Sequence, residues 1–153
     1  AMHATIAAAK LRHDKSVAGQ LSAYVTTNVY ANNPQYSATV SVSVHPASSA
    51  TGELVRLAVI AIEKAYKQGY RYIKAGVLLG DISPASERQI DLFSARDMDK
   101  EERLYEAVDV VNRKYGSDTL RPLASGTVRN WKMKQDHNSK RGTTNWSELL
   151  DAS

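Results

Sequence analysis

The sequence predicts an α+β fold: an antiparallel sheet with helices on one face, followed by a helical and irregular C-terminal extension. Three observations carry this. Tyr36, Ala38, Val40, Val42 and Val44 alternate with Ser37, Thr39, Ser41 and Ser43, which gives a strand one packed and one wet face. Leu54, Ala58, Ala61, Ile62 and Ala65 recur at helical spacing, a stripe fit to lie on that sheet. The elements follow one another in the order α-β-β-α-β before the pattern changes to a polar, charged extension.

Taken in order, Met2 to Leu11 is alanine-rich and predicts a helix that no good N-cap precedes. After Gly19-Gln20, the run Leu21-Ser22-Ala23-Tyr24-Val25-Thr26-Thr27 is strand by its β-branched and aromatic content. Asn32-Asn33-Pro34 marks the turn into the alternating strand Tyr36 to Val44, which His45-Pro46 should end. Thr51 is the expected N-cap of a helix from Gly52 to Gln68, with Gly69 as its C′ residue. In the strand from Tyr70 to Leu79, Ile73, Ala75, Val77 and Leu79 share one side and Lys74, Gly76 and Leu78 the other. Gly80 to Ser94 has no sustained period and contains Pro84, as a linker would. Asp97 or Asp99 should cap a third helix from Lys100 to Tyr115, with the stripe Leu104, Val108, Val111 and Tyr115 and with Gly116 closing it. Ser117 to Ser153 is polar and basic and carries Trp131 and Trp146.

The chain has 153 residues, 42% hydrophobic and 24% charged, enough for one compact domain with an interacting tail and too short for two large ones. No window approaches 18 consecutive apolar residues, so no membrane span or membrane partner is expected. The absence of cysteine excludes a disulfide scaffold, a thiolate metal site and a cysteine nucleophile, and fits a cytoplasmic location. The start shows no basic region leading into an apolar core, so no signal peptide is expected. His3, His13, His45 and His137 have no ligand spacing, so neither a metal nor another cofactor is expected. Charge is segregated: residues 1–80 carry +5, residues 81–111 carry −5 and residues 112–146 carry +6, which suggests separate partners for separate segments. Phe93, the single phenylalanine, lies in the acidic block, where a core residue is least expected.

Three segments resemble one family. They are Tyr24-Val25-Thr26-Thr27-Asn28 with Pro34-Gln35-Tyr36-Ser37, then Gly69-Tyr70-Arg71-Tyr72-Ile73-Lys74-Ala75-Gly76-Val77-Leu78-Leu79-Gly80-Asp81, then Trp131-Lys132-Met133-Lys134 with Thr143-Thr144. In this order they resemble the C-terminal region of the UmuC family, the catalytic subunits of bacterial error-prone (Y-family) DNA polymerase V and their plasmid-borne relatives. The resemblance implies a little finger domain over residues 2–80, a βαββαβ fold without its first strand. A linker with a clamp-binding motif follows over residues 81–97, and a C-terminal extension over residues 98–153. The family's palm, with its metal-binding carboxylates, has no counterpart here. No catalytic residue carries over, and the chain is not expected to be an enzyme, though its parent would be a DNA-directed DNA polymerase. A sheet short of one strand exposes unpaired edges or a gap, which favours strand exchange, homodimerisation or filling by the tail.

Little finger domains lay a sheet against duplex DNA and contact its backbone without reading sequence. If the registers line up, the wet face presents Ser22, Tyr24 and Thr26 beside Ser37, Thr39, Ser41 and Ser43, with Lys74 on the last strand. Periodicity alone favours an ordinary solvated face; the resemblance reverses that preference. The family often has a basic residue where Thr26 stands. Gln89, Ile90, Asp91, Leu92 and Phe93 resemble the motif by which polymerases bind the sliding clamp, an amide rim with Leu92 and Phe93 filling an apolar cleft. For the tail, with Arg129, Trp131, Lys132, Lys134 and Trp146, composition alone suits single-stranded DNA or packing of the tryptophans. The resemblance implies contacts to the processed UmuD dimer and the RecA filament. The expected function is therefore the non-catalytic C-terminal part of an SOS-induced translesion polymerase, which holds primer-template DNA and recruits the enzyme to the clamp. The alternative is a freestanding interaction protein of the same family that competes for clamp or partners and so regulates the SOS response.

Overall fold

The computed structural model describes residues 1–88 and 98–126. Helix α1 (Met2–His13) leads into β1 (Ser16–Thr27), β2 (Ser37–Ser48), α2 (Thr51–Ala65) and β3 (Tyr72–Pro84), and α3 (Met98–Tyr115) follows. The strands form one antiparallel sheet in the order β2-β1-β3, an α+β fold as expected. β1 is central and in contact with both neighbours, so among the described residues the sheet has open edges at β2 and β3 and no gap.

The core lies between one sheet face and the first two helices. Leu21 and Ala23 of β1, Val44 of β2, and Leu54, Val55, Ala58 and Ala61 of α2 are buried together with Ala4, Ala8 and Leu11 of α1. Alanine recurs because a methyl group lets two helices approach each other and the sheet closely without leaving a void. The expected α2 stripe is the buried one, with Leu54, Ala58, Ala61 and Ala65 all enclosed.

Several boundaries differ from the sequence expectation, each for a visible reason. Residue Thr51 is not the N-cap of α2; Ala50 occupies that position. The Thr51 hydroxyl instead accepts a hydrogen bond from Arg12 Nη1 at 2.9 Å. α2 also stops at Ala65, because Tyr66 turns extended (ψ 134°) while its N–H still bonds the Ile62 carbonyl. Gly69, at φ +95°, therefore serves the turn into β3 and not the helix terminus. His45-Pro46 does not end β2, which runs on to Ser48 past a register shift between Ala18 and Gln20. β3 likewise extends to Pro84, paired with Ser16, through part of the segment expected to be linker. Asp99 lies inside α3, and Asp97 is outside the described residues.

α3 docks by its polar side. Arg12 places Nε and Nη2 on the two carboxylate oxygens of Asp109, at 2.7 and 2.8 Å. Its Nη1 donates to the Ser49 carbonyl at 2.8 Å, and the guanidinium lies 5.0 Å from the Tyr105 ring centroid. The Tyr105 hydroxyl accepts the Gly52 N–H at 2.7 Å, a first-turn donor that α2 itself cannot satisfy. Of the expected apolar stripe, Leu104 and Tyr115 are exposed and Val108 and Val111 only half-buried. Gly116, at φ +107°, closes α3 as expected.

Candidate nucleic-acid interface

The sheet face opposite the helices is built from the second register of each strand. Across β2, β1 and β3 the rows are Ser37–Thr26–Lys74, Thr39–Tyr24–Gly76, Ser41–Ser22–Leu78 and Ser43–Gln20–Gly80. All eight residues singled out from the sequence, Ser22, Tyr24, Thr26, Ser37, Thr39, Ser41, Ser43 and Lys74, thus share one face. The Ser22 and Ser41 hydroxyls bond each other at 2.7 Å, and Ser37 Oγ donates to the Val25 carbonyl at 3.5 Å.

Tyr24 needs room in the next strand. A Cβ at Gly76 would collide with its ring, so glycine there lets Tyr24 lie flat across β3. Sequence reasoning passed over Gln20, which continues the alternation of Ser22, Tyr24 and Thr26 toward the strand start. It also passed over Leu78, which is 58% exposed on the same face. Lys74 is the one cation in the set of eight, so hydroxyls and an aromatic ring dominate what this face can offer a phosphate backbone.

A concavity of about 910 Å³ lies where α3 meets α1 and the start of β1, and Arg12, Tyr105 and Asp109 line it. No group of three or more His, Asp or Glu side chains able to hold a metal is found among the described residues. His13 Nδ1 sits 3.0 Å from Asp14, its sequence neighbour. Residues Gln89, Ile90, Asp91, Leu92 and Phe93, and the tail residues Arg129, Trp131, Lys132, Lys134 and Trp146, lie outside the described residues. No described helix is long and apolar enough to cross a membrane.

Among the described residues, the fold and the sheet face opposite its helices define an α+β domain that presents a polar sheet surface. The chain belongs to the impB/mucB/samB family, whose C-terminal domain it matches over residues 1–92. Residues 102–152 match a further domain described only as one of unknown function, DUF4113. Among its relatives, Protein UmuC of Salmonella typhimurium is 33% identical over 97% of this chain and 36% of its own length. Protein ImpB of Salmonella typhimurium is 30% identical over 96% of the chain and 35% of its own length. Protein SamB of the same organism is 28% identical over 96% and 35% respectively. The chain thus spans about a third of the length of these curated relatives. No solved structure matches it.

Proposed function

We propose that this chain is the non-catalytic C-terminal part of a cytoplasmic translesion DNA polymerase acting in SOS mutagenesis and DNA repair, and that its bare sheet face holds primer-template duplex by the backbone. The observation that carries this reading is the convergence of Ser22, Tyr24, Thr26, Ser37, Thr39, Ser41, Ser43 and Lys74 on one face that no described helix covers. Membership of the impB/mucB/samB family supports it. Hydroxyl and ammonium donors on a sheet face grip phosphates without reading bases, so the affinity should be independent of sequence and sensitive to salt. Titration of a labelled blunt duplex at two salt concentrations tests this. Binding should weaken with salt, Lys74→Ala should lower the salt slope by about one, and Ser41→Glu should weaken binding by setting a carboxylate against the phosphates. Binding that is absent, or indifferent to salt and to both substitutions, overturns the reading.

Gln89, Ile90, Asp91, Leu92 and Phe93 form the sliding-clamp anchor in this proposal, supported by an apolar Leu92-Phe93 pair within an otherwise acidic block. Replacing Gln89, Leu92 and Phe93 by Ala should abolish retention by an immobilised clamp, and undiminished retention rejects the motif. The tail, through Arg129, Trp131, Lys132, Lys134 and Trp146, is assigned to the processed UmuD dimer and the RecA filament. The same assay with those proteins as bait reads this, and retention unaffected by Trp131→Ala with Trp146→Ala rejects it.

A further inference from the structure

Beyond the bare face, at the hairpin end of the sheet, four tyrosines gather around the end of α2. The Tyr36 and Tyr70 ring centroids are 4.9 Å apart, Tyr66 and Tyr72 are 5.5 Å apart, and Tyr36 and Tyr72 meet edge-on at 6.2 Å. The cluster is pinned from behind. The Tyr36 hydroxyl donates to the Ala65 carbonyl, and the Tyr72 hydroxyl accepts the Lys67 N–H at 2.9 Å and donates to the Lys67 carbonyl at 2.8 Å. Lys67 Nζ sits 5.8 Å from the Tyr36 centroid and 5.7 Å from that of Tyr70. Tyr66, buttressed by Tyr72, remains 58% exposed.

The segment that carries three of these rings is basic. From Lys64 to Lys74 the chain carries Lys64, Lys67, Arg71 and Lys74 and no carboxylate. None of these four is ion-paired to a carboxylate among the described residues. Arg71 also lines a cleft of about 150 Å³ with the polar side chains of Asn28, Asn33 and Gln35. Aromatic rings interleaved with free cations complement a strand that offers both phosphates and unpaired bases, because stacking needs a base face that a duplex hides. Rings already fixed by their neighbours lose little freedom on binding. The patch lies at the hairpin end of the sheet on the side of α2, just past the row Ser37–Thr26–Lys74 of the opposite face: Tyr36 precedes Ser37, and Tyr72 pairs with the buried Thr27.

We propose that Tyr66, Lys67, Tyr70, Arg71 and Tyr72 form a binding site for single-stranded DNA, which stacks unpaired bases where a strand leaves the duplex held on the sheet. This rests on the duplex-holding reading above, and the test separates the two. The full chain is titrated at low salt with labelled oligo-dT, a blunt duplex, and the same duplex carrying a single-stranded overhang. The overhang should bind more tightly than the blunt duplex. Tyr66→Ala should weaken oligo-dT and overhang binding by about tenfold and leave the blunt duplex unchanged, while Tyr66→Trp keeps the affinity. Lys67→Gln, which retains the backbone bonds to Tyr72, should reproduce the loss in part. Melting curves of each variant check that the fold is intact. Oligo-dT and overhang binding indifferent to Tyr66→Ala, or a loss equal on all three probes, overturns the proposal. Blunt-duplex binding indifferent to salt, to Lys74→Ala and to Ser41→Glu overturns the sheet reading alone.

Discussion

The body of the domain and helix α3 are joined by opposite kinds of force. α1, α2 and the sheet meet through buried methyl and isobutyl groups, with Ala4, Ala8, Leu21, Leu54 and Ala61 essentially without solvent contact. α3 meets the same body through a guanidinium, a carboxylate, a phenol and a backbone N–H. Burial of apolar area is non-directional and tolerates small shifts, whereas a two-toothed Arg–carboxylate pair fixes one register and one orientation. Among the described residues, the body is thus held by bulk, and α3 by a polar clasp centred on Arg12. The clasp also explains why Leu104 is left outward: the helix is rotated to bring Tyr105 and Asp109 to the body, with Val108 and Val111 half-buried.

The largest test of this contrast compares two leucines. Leu54→Ala removes a fully enclosed side chain from a close-packed core and should cost about 2–5 kcal/mol of unfolding free energy. Leu104→Ala, on the outward side of α3, should stay within about 0.5 kcal/mol. Urea titration of both variants reads the difference. Similar losses for the two would mean that the apolar side of α3 is covered after all.

Much of the body was legible in the sequence, and the reasons are physical. Strict alternation in Tyr36 to Val44 fixed which side chains of β2 share a face, and the same period in β1 and β3 brought eight residues to one surface once the strands paired. The α2 stripe was equally plain, since a helix against a sheet buries residues at helical spacing. The ends were not legible. The helix expected to reach Gln68 stops at Ala65, because Tyr66 leaves it to pack against Tyr72, a contact between side chains that no local pattern announces. Nor does Thr51 advertise that Arg12, 39 residues away, will claim its hydroxyl. For α3 the apolar stripe was legible only in its middle: Val108 and Val111 are half-buried, whereas Leu104 and Tyr115 stay exposed because Arg12 draws the helix in by Tyr105 and Asp109. Arg12 and Asp109 are 97 residues apart, and each reads singly as a solvated surface charge.

The clasp itself offers the smaller and more specific test. Arg12→Ala deletes both bonds to Asp109 and those to the Ser49 carbonyl and Thr51 hydroxyl, and leaves a carboxylate only 21% exposed without its partner. Because Asp109 lines an open concavity, water can reach it, so the loss should be about 1–3 kcal/mol, below that of Leu54→Ala. The distinguishing readout is local. Amide hydrogen exchange in α3 should accelerate while the buried strand β1 keeps its protection, since nothing in the core is removed. Arg12→Lys keeps the charge but not the planar fork, so it should restore only part of the protection in α3. The Arg12→Ala, Asp109→Ala pair should be markedly less damaging than the sum of the two, because each single change strands the other group. If exchange in α3 stays slow in Arg12→Ala, the helix is held by something other than this clasp, and the contrast between an apolar body and a charge-docked helix fails.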